Sequence, residues 1–219
     1  MLSQHKQAGL SILEVIVALA ISAIVASAIL TLLSQTLISS ARVVQTGKLD
    51  GELNSLMDLM VRDIQRAGYW ANAQTSNTNP FMSSVNDITV NGAGNCVIFT
   101  YDRNNDGAVA TIASGTDDEH YGFRLDGNAI QYRPPGAAFD CAAASNDWQN
   151  ITDSNVLTIS AFTVAKTNVA VDIDGTDAGT DTTNFRTITI TITGYLTNDS
   201  SETKTITRTI KVYNNKYAV

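Results

Sequence analysis

Residues 10–33 read LSILEVIVALAISAIVASAILTLL, an apolar run with no Gly, no Pro and a single charge, the carboxylate of Glu14. About 20 such residues span a bilayer as a helix, which keeps every backbone polar group bonded within the segment. A carboxylate at that depth is costly and calls for a partner. Ahead of the run stands MLSQHKQAG, with Lys6 as its one formally charged side chain. No small-x-small site follows the run, so ordinary removal of a secretory signal fits poorly. A plain single-span anchor accounts for the apolar run and leaves Glu14 unexplained.

The chain has 219 residues and a net charge of −7. A membrane helix leaves about 150 residues, the usual size of one globular domain. The acidic balance, with no Lys/Arg cluster, argues against nucleic-acid binding, which needs a basic footprint.

A Ser/Gln-rich patch, Ser34 to Ser40, follows the run. Beyond it Leu49, Leu53, Leu56, Met57, Met60 and Ile64 recur at spacings of three and four, which predicts an amphipathic helix with a core-facing stripe. Lys48, Asp50, Glu52, Asp58, Arg62, Asp63 and Arg66 fill the other faces. Arg62 and Arg66 complement the helix dipole near its C-terminal end, and Gly68 fits a C-cap. The anchor and this stretch read as one helix with a weak point at Gly47.

Residues 71–80, rich in Asn, Thr and Ser, read as a loop, and strands follow. Residues 95–101, 121–125, 129–133 and 156–164 are short β-branched and aromatic segments between turn residues. FRTITITITGYL (185–196) and TKTITRTIKVY (203–213) alternate at period two, with Ile188, Ile190 and Ile192 on one face and Thr189, Thr191 and Thr193 on the other. Joined by a polar 197–202 loop, they predict an antiparallel hairpin with one buried face. The fold class is α+β: a long N-terminal helix packed on an antiparallel β-sheet domain.

The stretch AGLSILEVIVALAISA resembles the type IV prepilin motif: a short basic leader, a small residue before the cut, an apolar start and an acid five residues in. The resemblance implies that prepilin peptidase cuts between Gly9 and Leu10 and methylates the amine of Leu10. It also implies that Glu14 pairs with the N-terminal amine of a neighbouring subunit during assembly. The family more often has Phe where Leu10 stands, and many major pilins carry a Pro further along the run. Removal of the leader loses Lys6 alone and takes the net charge from −7 to −8. The expected organisation is a leader at 1–9, a transmembrane and assembly helix at 10–34, an amphipathic continuation at 35–68, and a periplasmic or extracellular β-rich domain at 69–219.

MVRDIQRAGYWAN, NCVIFTYDRNNDG, Trp148 in DWQNIT and RTIKVYNN further resemble the PilW group of minor pilins, most specifically through RDIQRAGYW. This resemblance implies a low-abundance subunit that primes type IV pilus assembly and sits near the filament tip. The implied partners are other minor and major pilins, prepilin peptidase and the inner-membrane assembly platform. It places the chain in the inner membrane before assembly and in the filament afterwards. A GspJ-like pseudopilin of type II secretion shares the anchor and the domain size.

In an exported domain Cys96 and Cys141 form an even pair, which favours a disulfide over two free thiols. It closes a loop of about 45 residues, worth about 3 to 4 kcal/mol. Asp102, Asn104 and Asp106 ahead of Gly107 alternate oxygens like the front half of an EF-hand loop, the pattern that hard Ca²⁺ takes. The twelfth position is Ala113, so the closing Glu is missing unless Asp117, Asp118 or Glu119 folds back. A solvated turn accounts for the same residues. The second acidic stretch, Asp172, Asp174, Asp177 and Asp181, reads as a solubilising loop. No phosphate loop or zinc spacing is present, and His120 is the one histidine after the leader, so catalysis lacks support. Two other classes stay open: an anchored binding domain that retains residues 1–9, and a calcium-dependent adhesin using the 102–106 loop with Tyr121 and Trp148 exposed.

Overall fold

The computed structural model describes residues 9, 11–76, 78–112, 115, 117–142, 144, 147–173, 175 and 182–218, the side chains of 217 and 218 excepted. Leu10, Ala113, Asp174, Asp177 and Asp181 lie outside the described residues. Helix α1 runs Ile12–Gln65, and the chain divides into two units, 1–47 and 48–219.

In the first unit every described residue of α1 up to Val44 is exposed. The helix is long and apolar enough to cross a membrane by length and composition. Its hydroxyls bond back into the helix: Ser22 Oγ donates to the Ala18 carbonyl at 2.7 Å, Thr31 Oγ1 to Ser27 at 2.9 Å and Thr36 Oγ1 to Leu32 at 2.9 Å. Such back-bonding leaves little for hydrocarbon to desolvate. The helix continues through Gly47, where the sequence suggests a weak point.

In the second unit the six residues of the predicted stripe, Leu49, Leu53, Leu56, Met57, Met60 and Ile64, are all buried. The helix stops where Gly68 turns into the left-handed region at φ +73° and its N–H donates to the Thr100 carbonyl at 2.8 Å. A Cβ there would stand 2.4 Å from Met82 Cε and 2.9 Å from Arg186 Nη2, so both conformation and space select glycine.

The strands divide into two antiparallel sheets. The first orders β1 (Thr89–Val90), β2 (Cys96–Thr100), β3 (His120–Asp126), β4 (Ala129–Tyr132) and β5 (Gln149–Asn150) in sequence. In the second, β7 (Thr182–Leu196) lies between β6 (Leu157–Asp172) and β8 (Asp199–Lys211), and β9 (Lys216–Ala218) also pairs with β7. Ile188, Ile190 and Ile192 are fully buried. On the other face Thr189, Thr191 and Thr193 hydrogen-bond Thr209, Thr207 and Thr205 across the β7–β8 pair at 2.9–3.0 Å. Cross-strand pairs of this kind fix register. The stripe of α1, Val97, Phe99, Phe123 and Ile130 of the first sheet, and Ile159, Phe162 and the isoleucines of the second form one core.

The largest departures from the sequence reading are at the start of β8 and the end of β6; β7 also starts three residues early, at Thr182. Asp199 already pairs with Leu196, so the 197–202 loop is a turn at Thr197 and Asn198. Asp199 Oδ1 accepts from the N–H of Ser201 at 3.0 Å, which steadies the polar start of the strand. Strand β6 runs eight residues past Val164 because its backbone keeps pairing with Thr182–Thr189 of β7, although Lys166 and Asn168 interrupt the apolar pattern.

Candidate functional site

Gly9 is exposed and lies ahead of the helix, with nothing within 4 Å of where its Cβ would be. Fold and packing of the described residues therefore place no demand for glycine at this position. Ser11 precedes the first helical residue, and its Oγ accepts from the N–H of Glu14 at 3.2 Å. In return the N–H of Ser11 donates to Glu14 Oε2 at 3.4 Å. Ser-x-x-Glu with this reciprocal bonding is a capping box, which satisfies two N–H groups that the helix start leaves open. The carboxylate also meets the positive end of the helix dipole. Ser11 and Glu14 both lie after the Gly9–Leu10 bond, so the box survives a cut there.

The box uses Glu14 locally and leaves the carboxylate exposed. Val15, Ala18, Leu19 and Ser22 line a concavity beside it, with the small side chains of Ala18 and Ser22 one and two turns on. Small residues on an apolar helix allow close approach by another helix, and a charge placed there attracts an opposite one. Between Gly9 and Arg42 Glu14 is the only charged residue.

Cys96, on β2, and Cys141 are joined in a disulfide with Cα atoms 5.9 Å apart, inside the usual range. It ties the segment around Cys141 to the first sheet. Arg124 on β3 holds the same segment by donating to the carbonyls of Cys141 and Ala144, both at 3.3 Å.

The 102–107 loop brings Asp102, Asn104 and Asp106 together. Asn104 Oδ1 accepts from the N–H of Asp106 at 3.0 Å, and Asn104 Nδ2 donates to Asp106 Oδ2 at 2.9 Å. Of the three acids named as able to fold back, Glu119 does so. It is fully buried and accepts from the N–H of Arg103 at 2.7 Å. Asp118 turns the other way, to Arg133 Nη2 at 2.9 Å and His120 Nδ1 at 3.0 Å. Burial pushes the Asp118 carboxyl up, but hydrogen bonds from Arg133, Gly136 and His120 and the Arg133 charge outweigh it and hold the group below the usual carboxylate range.

Trp148 and Tyr121 do not form an exposed aromatic surface. Trp148 is 3 % exposed, with the Arg124 guanidinium 4.6 Å from its ring centroid, and Gly122 leaves it room. Tyr121 is half-buried and stacks on Tyr101 with centroids 4.1 Å apart. Burying large aromatic area outweighs display of these groups. His120 begins β3 as a buried residue.

Comparison with known proteins adds to this geometry. Residues 4–30 match the family described as Prokaryotic N-terminal methylation motif, and residues 42–212, more than half of the chain, match the family described as Prepilin peptidase-dependent protein B. The chain is 26 % identical over 168 residues to Prepilin peptidase-dependent protein B of Escherichia coli (strain K12), covering 75 % of this chain and 81 % of that protein. No solved structure matches.

Proposed function

The chain belongs to the Prepilin peptidase-dependent protein B family, and on that premise we propose that it is a minor pilin of a type IV pilus, cut by prepilin peptidase between Gly9 and Leu10 and methylated on Leu10. Glu14 supports this reading most directly: it is the single charge between Gly9 and Arg42, on a helix exposed throughout this stretch. A helix so apolar is stable in lipid, and its carboxylate then seeks a cation in the same layer, which the freed amine of a neighbouring subunit supplies.

In this reading the apolar helix holds the precursor in the inner membrane and later packs among other minor and major pilins. The β-rich domain lies in the periplasm before assembly and at or near the filament tip afterwards. The assembly platform and prepilin peptidase are the partners on the way. The chain carries out no reaction of its own; its work is processing, docking and priming.

The test is a deletion of the coding sequence, complemented in trans, with surface filaments counted by electron microscopy and secreted enzymes assayed in parallel. Loss of filaments with intact secretion is expected. Intact filaments with lost secretion would move the chain to a type II pseudopilin.

A further inference from the structure

We propose that Asp102, Asp106 and Glu119 hold a calcium ion, with Glu119 as the ligand that closes the site from outside the loop. One carboxylate oxygen from each residue lies within 4.8 Å of those from the other two, close enough for one ion to touch all three. Asp102 is 1 % exposed and Glu119 fully buried, so two of the three charges sit away from water. Among the described residues no ion pair reaches Asp102, Asp106 or Glu119. Buried carboxylates of like charge repel unless a cation stands between them.

A second observation points to the ligand. Asp102 Oδ1 is buried with no hydrogen-bond partner, although Oδ2 of the same carboxylate accepts from the N–H groups of Ala71 at 2.9 Å and Gly107 at 3.1 Å. The backbone thus fixes the carboxylate by one oxygen and leaves the other unused. In Glu119 the backbone holds both oxygens, Oε1 by the N–H of Arg103 at 2.7 Å and Oε2 by that of Ala110 at 3.3 Å. An unpartnered buried oxygen is unfavourable by itself and is satisfied by a bound cation.

The donor set selects the ion. All three ligands are carboxylates and the group contains no His or Cys, which favours a hard cation over zinc or copper. Calcium tolerates irregular oxygen shells, whereas magnesium demands near-octahedral geometry and gives up its waters reluctantly.

Full-length protein in detergent micelles, stripped with a chelator and titrated with CaCl₂ by calorimetry, tests the proposal independently of any role in pilus assembly. One saturable site per chain is expected, with a dissociation constant on the order of 10⁻⁴ to 10⁻³ M as in extracellular modules. Calcium should raise the melting temperature. Terbium should bind at the same site with luminescence sensitised by Trp70, whose Nε1 donates to the Gly107 carbonyl at 2.8 Å. Glu119→Gln should abolish binding; the exposed Asp106→Asn, which keeps the fold even if Glu119→Gln does not, should weaken it about tenfold or more. Absence of saturable binding by the wild type up to about 10 mM would overturn the proposal. So would wild-type affinity in Asp106→Asn.

Discussion

The docking role proposed for Glu14 is separable from its observed capping role, and three substitutions tell them apart. Glu14→Gln keeps the capping-box geometry, because glutamine at this position also accepts from the N–H of Ser11. It removes the charge. Ser11→Ala removes the 3.2 Å bond to the N–H of Glu14 and leaves the charge. Loss of the cap costs about 1 kcal/mol at the first turn, less than tenfold in any equilibrium that needs that turn. In the proposed docking, loss of the charge leaves a neighbour's amine unpaired in hydrocarbon, which costs about 3 to 5 kcal/mol, or at least about 10²-fold in docking. We therefore predict that Glu14→Gln and Glu14→Val are both processed yet nearly absent from sheared filaments, while Ser11→Ala is incorporated within a few-fold of wild type. The assay is the ratio of filament to membrane protein by quantitative immunoblot at limiting expression. Wild-type incorporation of Glu14→Gln would refute the charge pair and leave the glutamate as a helix cap only.

Three further outcomes follow from the globular unit. Replacing Cys96 and Cys141 together by Ser should lower unfolding free energy by about 4 kcal/mol for the separation of 45 residues, read from urea midpoints; a change under about 1 kcal/mol would count against the closed loop as a stabiliser. Asp63 is half-buried, and burial raises its carboxyl pKa against the pull of Arg66. The folded state then holds this proton more tightly, so the contribution is favourable below the ordinary value near 3.9 and is lost as pH rises through the raised folded value, leaving a penalty at neutral pH. Asp63→Asn should therefore raise the melting temperature more at pH 7 than at pH 3.5, and an equal shift at both would contradict the burial argument. Gly51 lies inside α1 with nothing within 4 Å of where a Cβ would stand, so Gly51→Ala should stabilise by about 0.5 to 1 kcal/mol in the same urea assay.

Periodicity made much of the fold legible. The Leu and Met stripe from Leu49 to Ile64 is buried residue for residue, and the Ile/Thr alternation of 188–193 separates a core face from a hydrogen-bonded face. Strands as short as Thr89–Val90 and Gln149–Asn150 carry no such signal, because two residues do not define a period. Arg186 illustrates a signal of another kind. It shares parity with Ile188, Ile190 and Ile192, so the pattern itself places a charge on the core face. The arginine is 1 % exposed and pairs with Asp87, a partner 99 residues away that local sequence cannot identify.

The candidate sites divide in the same way. Ser-x-x-Glu ahead of an apolar run is a readable capping box, and it explains part of what Glu14 does without reference to a second subunit. The front half of the acidic loop is likewise local, since Asp102, Asn104 and Asp106 need only alternation. Its closure is not, because the choice of Glu119 over Asp118 depends on Arg133 drawing Asp118 the other way. Trp148 and Tyr121 invite a surface role by type alone, and packing of Trp148 against Arg124 and Gly122 decides otherwise for it.

The most direct test of the central claim is the intact mass of the protein recovered from membranes and from sheared filaments, with its N-terminal peptide sequenced. A chain that starts at methylated Leu10 in both fractions is the predicted result. A chain that still starts at Met1 in cells with an active prepilin peptidase would contradict the account and leave an anchored domain that keeps its first nine residues.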